Sequence, residues 1–151
     1  MDDIVDKVQK FNDKHILVIG DLMLDTYFKG DVHRVSVEAP IPIVKVEEEF
    51  HVLGGAGNVA ANVSSLGGKA TLFSFVGQDY QAAIVRDLVR KSNIEAFLQE
   101  DEKTIHKIRV IGNEQQLARA DFEIVKDHIF TESMKSKLKE KAQQAQVIVI
   151  S

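Results

Sequence analysis

Leu53-Gly-Gly-Ala-Gly-Asn-Val-Ala-Ala-Asn-Val-Ser-Ser-Leu-Gly67, continued by Gly68-Lys-Ala-Thr-Leu-Phe-Ser-Phe-Val-Gly77, is the stretch whose reading decides the fold. Three glycines crowd its start, Gly54, Gly55 and Gly57. They let the backbone take positive φ and approach a ligand with no Cβ in the way. Asn58 then opens a helical pattern with Val59, Val63 and Leu66 on one face and small Ala60 and Ala61 between. Free amides at a helix N-terminus attract an anion or an oxygen-rich ligand. Gly67 and Gly68 end that helix, and Ala70 to Val76 reads as a buried strand. The unit is a glycine turn, a helix and a strand, with polar groups gathered at the turn.

The chain has 151 residues, enough for one domain with a real core. With 44% apolar and 28% charged residues, the composition is that of a soluble protein. No apolar run approaches the roughly 20 residues of a membrane span. The acidic start, Met-Asp-Asp-Ile-Val-Asp, is unlike a basic secretory leader. Absence of cysteine excludes a disulfide framework and a thiolate metal site, which suits a cytoplasmic setting. A formal charge of −4 argues against a general nucleic-acid binder.

Upstream, residues 2–12 place Ile4, Val5, Val8 and Phe11 at helical spacing, a first amphipathic helix. His15 to Gly20 is a short continuous apolar run, the mark of a strand buried on both faces of a parallel sheet. It runs into Gly20-Asp-Leu-Met-Leu-Asp25, so Asp21 and Asp25 sit where open α/β sheets bind ligands. A lone aspartate there is as often a helix cap, but a pair points to a site. Thr26 to Gly30 and Ile41 to Val46 alternate apolar and polar, which predicts a small antiparallel flap over about 26–47, outside the main sheet. Pro40 and Pro42 confine any strand there to an edge or its start.

Downstream, a helix is expected over 79–91 with Ala82, Ala83, Val85, Leu88 and Val89 inward, then a strand over 94–98. Thr104 to Ile111 and Gln115 to Asp121 form an expected hairpin turning at Gly112-Asn113. A charged helix over 130–144 buries Met134, Leu138 and Ala142, and Gln146 to Ser151 reads as a last buried strand. A parallel strand normally continues past its ligand-facing end, so the expectation is that the chain is part of a larger fold.

Gly55-Ala-Gly57-Asn-Val-Ala60 also satisfies the dinucleotide pattern G-x-G-x-x-A, with Asp79 at about the right distance for a ribose contact. That fingerprint needs a buried apolar strand leading into its first glycine, and Glu47-Glu-Glu-Phe-His51 is no such strand. There is no Walker phosphate loop and no serine-hydrolase elbow, and the five histidines are scattered without metal spacing. Lys107, Arg109 and Arg119 are the better candidates for holding an anion, since alternation puts Lys107 and Arg109 on one face of a strand. A solvated strand face explains them as well.

The run Gly54-Gly-Ala-Gly-Asn-Val-Ala, six residues to Gly67 and nine more to Gly77, resembles the first signature of the ribokinase-like (pfkB) carbohydrate kinases. Gly20 to Asp25, Val35 to Val46, Lys107-Ile-Arg-Val and Gln115 to Glu123 are similar, within that family, to the D-glycero-β-D-manno-heptose-7-phosphate kinases, alone or as the N-terminal part of a bifunctional ADP-heptose synthesis enzyme. The resemblance implies an α/β fold with a mostly parallel sheet, flanking helices and a β lid, residues 1–151 forming its N-terminal, sugar-side half. It implies transfer of the ATP γ-phosphate, with Mg2+, to the anomeric hydroxyl of heptose 7-phosphate on the way to lipopolysaccharide core sugars. Fructose and ribose kinases share the first signature.

The same resemblance assigns sugar binding to Asp25, to the backbone at Gly54 and Gly55, and to the Asn58 side chain, and makes the lid a cover and a homodimer contact. Lys107, Arg109 and Arg119 are assigned to the 7-phosphate on charge alone. The family's second signature, Gly-Ala-Gly-Asp with the catalytic aspartate, has no counterpart in the sequence. The expectation is therefore that this chain alone holds neither ATP nor Mg2+ and is inactive. A non-catalytic dimerisation module and a dinucleotide-binding domain are the alternatives from other classes.

Overall fold

The structure is a computed structural model that describes residues 10–12, 14–124 and 127–151. The helix expected over 2–12 lies almost entirely outside the described residues. In chain order the elements are β1 (His15–Ile19), β2 (Leu22–Val35), β3 (Pro42–Gly55), α1 (Ala56–Ser65), β4 (Lys69–Val76), α2 (Tyr80–Lys91), β5 (Glu95–Glu100), β6 (Ile105–Gly112), β7 (Gln115–Phe122), α3 (Glu132–Gln144) and β8 (Val147–Ile150).

The apolar runs form one sheet, order β5-β4-β1-β8, with every pairing parallel. Because side chains alternate, each strand feeds two layers. Ile16, Val18, Ala70, Leu72 and Val76 join Ala56, Ala60 and Val63 of α1 and Ala82, Val85 and Val89 of α2 in one core. On the other face Phe73 stacks on Phe97 at 4.7 Å, and Phe130 packs on Phe75 at 4.5 Å. There Lys141 of α3 reaches Glu95 at 2.6 Å and lies 5.5 Å from the Phe97 ring centre.

The outer elements are wetter than their sequences suggest. Met134, Leu138 and Ala142 of α3 are half-buried, and β8 is an exposed edge strand, with Ile150 84% exposed. β8 bonds to β1 along one side, and among the described residues no strand pairs with its other side. Leu66 and Ala83 also face outward, and the inward positions go to Ala56 and Ile84.

The flap is larger than expected and begins earlier. β2 and β3 are each 14 residues long and pair antiparallel from Leu22↔Gly55 to Val35↔Pro42. β2 also pairs parallel with β6, and β6 antiparallel with β7, giving a second sheet of order β3-β2-β6-β7. The two expected hairpins are thus one lid, joined by a parallel pairing across about eighty residues of sequence that no local periodicity encodes. The β6–β7 turn falls at Asn113 (φ 50°) and Glu114 (φ 66°), one residue later than expected. Positive φ at both positions is what a two-residue turn needs to match strand twist, so Gly112 stays in its strand. Among the described residues no helix is long and apolar enough to cross a membrane.

Asp79 fastens lid to sheet. Its carboxylate accepts from Ala82 N–H (2.8 Å), capping α2, and from the N–H (2.8 Å) and hydroxyl (2.7 Å) of Thr104, the residue before β6. Thr104 Oγ1 in turn accepts from Gly77 N–H at 3.0 Å. Burial alone would raise the Asp79 pKa, but the hydrogen bonds from Thr104 and Ala82 together hold it below the ordinary carboxylate value. Its contribution to stability is therefore present above the unfolded-state value and lost as pH falls through the lowered folded value. Asp79→Ala is expected to cost about 2–4 kcal/mol in urea unfolding at pH 7. The gap to wild type should narrow below about pH 4, and a gap that stays constant down to pH 2 would contradict this role.

Candidate functional site

The antiparallel register of β2 and β3 builds the site. Leu22 and Leu24 of β2 are buried toward the core, so alternation turns Met23, Asp25 and Tyr27 to the opposite face. Met23 lies across from Gly54, and Leu22 across from Gly55. A Cβ on Gly54 would lie 2.7 Å from Asp25 Oδ2 and 2.6 Å from Met23 Cγ, so the Asp25 carboxylate rests directly on the glycine turn. Gly55 has φ +54°, and a Cβ there would be 2.2 Å from the Asp21 carbonyl oxygen. That same oxygen accepts the Ala56 N–H at 2.9 Å, which fixes where α1 begins.

The sequence pairs Asp21 with Asp25 as site carboxylates, but only Asp25 joins the turn by its side chain. Asp21 is exposed and takes part through its backbone. Asn58 is exposed on the first turn of α1, its Oδ1 accepting from Asn62 Nδ2 at 3.3 Å, which leaves its own NH2 free to donate outward. No side chain caps α1. Gly54, Gly55, Asn58 and Asp25 thus come together around one turn.

The three expected cations share the Asp25 face. Asp25 is opposite Lys107 across β2–β6, and Arg109 is opposite Arg119 across β6–β7. None is solitary. Arg109 Nη1 donates to Asp25 Oδ1 at 2.5 Å, Lys107 Nζ reaches Asp121 (3.2 Å) and Glu123 (3.3 Å), and Arg119 Nε reaches Asp121 (2.9 Å). The Asp25 hydrogen bond raises the Arg109 pKa. For Lys107, burial pulls the pKa down but the hydrogen bonds to Asp121 and Glu123 outweigh it and raise it. Asp121 and Glu123 were not singled out from the sequence, although Asp121 is the cross-strand partner of Lys107 that any correct hairpin register would give.

The lid's other face carries a polar cluster that spacing could not reveal. Thr26 Oγ1 lies 2.8 Å from both His51 Nδ1 and His106 Nε2, joining β3, β2 and β6. Burial, and then the neighbouring His51, lower the His106 pKa. A small cleft, with about 20 Å3 of open space, lies beside the site at the C-terminal ends of β1, β4 and β5, lined by Asp21, Ser74, Thr104, Ile105, Glu123 and His128 among others. It borders the Asp25 face through Ile105 and Glu123 without including Asp25, Gly54 or Asn58.

The dinucleotide arrangement is not formed. The strand entering Gly55 is antiparallel and largely exposed, and the Asp79 carboxylate is engaged by Thr104 and α2. Residues 13–151 match the pfkB family carbohydrate kinase description. The chain belongs to the pfkB family of carbohydrate kinases. It is 38% identical over 143 residues to the bifunctional protein HldE of Methylococcus capsulatus, covering 93% of this chain and 30% of that protein. It is 44% identical over 116 residues to HldE of Magnetococcus marinus, covering 75% of this chain and 24% of that protein. The chain thus spans about 30% of the length of such relatives.

The fold agrees with this pfkB membership and is ribokinase-like. The acarbose kinase Mak1 superposes with a TM-score of 0.70 at 19% identity, covering 92% of this chain and 46% of that one. A carbohydrate kinase from Agrobacterium tumefaciens gives 0.57 at 19% identity, covering 72% of this chain and 35% of that one.

The close approach at Gly54 makes a sharp expectation for this pfkB chain. Gly54→Ala should displace the Asp25 carboxylate and break its bond to Arg109, at a cost of about 1–3 kcal/mol in denaturant unfolding. A crystal structure of the variant with the Asp25–Arg109 pair intact would contradict it.

Proposed function

We propose that this chain supplies the sugar-binding side of an ATP-dependent kinase that phosphorylates D-glycero-β-D-manno-heptose 7-phosphate at its anomeric hydroxyl, giving the 1,7-bisphosphate. The observation that carries the reading is the Asp25 carboxylate lying on the Gly54 turn, which leads directly into the helix whose first turn carries Asn58. A carboxylate acceptor and an amide donor at a bare backbone suit the alternating donors and acceptors of a polyol. Likeness to bifunctional HldE proteins over most of the chain goes with the resemblance of Gly20 to Asp25, Val35 to Val46 and Gln115 to Glu123 to heptose kinases, which favours a heptose over fructose or ribose.

In this reading Asp25 accepts from sugar hydroxyls, the backbone at Gly54 and Gly55 lies against the sugar ring, and Asn58 Nδ2 donates to a ring or hydroxyl oxygen. Lys107, Arg109 and Arg119 hold the 7-phosphate, with Asp121 and Glu123 balancing their charge when no ligand is there. The lid excludes water from the reacting hydroxyl. A homodimer would be built on its tip, where Val35, Val37 and Ile41 are exposed.

ATP and Mg2+ belong to the proposed reaction, supplying the phosphoryl group and the neutralisation of its charge. In this reading no residue of this chain is assigned to them, since the sequence has no glycine-rich segment ending in the family's catalytic aspartate. This chain's part is to bind and orient the sugar.

Calorimetric titration with heptose 7-phosphate, ribose, fructose and NAD tests the reading. Heptose 7-phosphate should bind in preference to the others, and Asp25→Ala and Asn58→Ala should each weaken it roughly tenfold or more. Binding of NAD with no response to any sugar would overturn it.

A further inference from the structure

Arg109 stands apart from the other two cations. Lys107 is the cross-strand neighbour of Asp25, yet its ammonium turns to Asp121 and Glu123. The ion pair to Asp25 comes from Arg109, two residues further along β6, with side chains only 20% and 13% exposed. The guanidinium is held from a second direction, its carbon 5.4 Å from the centre of the Tyr27 ring. Tyr27 in turn stacks on Phe50 of β3 at 4.8 Å with planes 4° apart. Three adjacent strands therefore contribute one packed row, Phe50, Tyr27 and Arg109, which ends on Asp25 Oδ1.

This geometry divides the carboxylate. Oδ1 is taken by Arg109, while Oδ2 rests against the bare Gly54 backbone. An unheld carboxylate would rotate about χ1 and χ2, and binding a sugar would have to stop that motion. A planar guanidinium pinned on an aromatic face removes it in advance, which a flexible ammonium would not do.

We propose that Arg109, braced by Tyr27 and Phe50, is a positioning residue that pre-orients Asp25 so that Oδ2 is presented to the sugar. The idea rests on the sugar-kinase reading for what Asp25 binds, and it gives Arg109 a role independent of the substrate's phosphate. Its remaining N–H groups stay available to a phosphate, so the two roles are separable by experiment.

The test compares wild type with Arg109→Gln, titrating heptose 7-phosphate and unphosphorylated heptose by calorimetry. A positioning residue makes Arg109→Gln lose affinity for unphosphorylated heptose as well as for heptose 7-phosphate, by roughly tenfold or more for the unphosphorylated sugar. A loss confined to the phosphorylated sugar would overturn the proposal and leave Arg109 as a phosphate contact. If wild type binds neither sugar, the sugar-binding reading of this chain fails by itself, and side-chain couplings of Asp25 measured by NMR still decide the matter. A single Asp25 χ1 rotamer in wild type that averages in Arg109→Gln, with the remaining spectrum folded, supports the proposal. An unchanged rotamer overturns it.

Discussion

There is no room for a side chain at position 54, because the Asp25 carboxylate and the Met23 side chain fill the space where one would be. Most of the site follows from that contact. It requires β2 and β3 to pair in the register that sets Met23 against Gly54 and Leu22 against Gly55. The register carries β3 straight into α1, whose first amide is caught by the carbonyl of Asp21, the residue just before β2. Strand, turn and helix are thereby fixed together, with the Asp25 carboxylate held on the turn and the Asn58 side chain exposed just beyond it.

The lid has two faces with different physics. Toward the core, Leu22, Leu24 and Thr26 are buried, and the two histidines on Thr26 share a hydroxyl that satisfies both. That cluster ties β3, β2 and β6 together. The other face is a lattice of ion pairs, in which Lys107, Arg109 and Arg119 each meet a carboxylate. Such partly buried pairs add little net stability, since desolvation offsets much of the attraction. Their arrangement fixes where charge lies, and in the proposed reading a phosphate arriving there would compete with Asp121 and Glu123 for groups already in place.

Much of this was legible in the sequence, and the remainder has identifiable causes. The parallel-sheet strands and α1 were legible because continuous apolar runs and glycine stops have few alternative readings. Asp25, Gly54, Gly55 and Asn58 were legible as a motif, although only the fold shows them around one turn. The unity of the lid was not, because β2–β6 pairing is non-local and Gly20-Asp21 reads as a loop on both sides of a strand start. Burial of α3 and β8 was overestimated, since apolar periodicity records which face a residue takes but not whether a layer covers it. The role of Arg109 was hidden for a similar reason. A cation two residues along a neighbouring strand from a carboxylate carries no sequence signal until the register is known.

The most direct measurement is a map of amide shifts in 1H–15N NMR spectra as heptose 7-phosphate is added. The account requires the largest changes at Gly54, Gly55 and Asn58, with a second group on β6 and β7 around Lys107 and Arg119. Binding that leaves those amides unmoved, and instead shifts the core-facing side of the lid around Thr26 and His51, would contradict it.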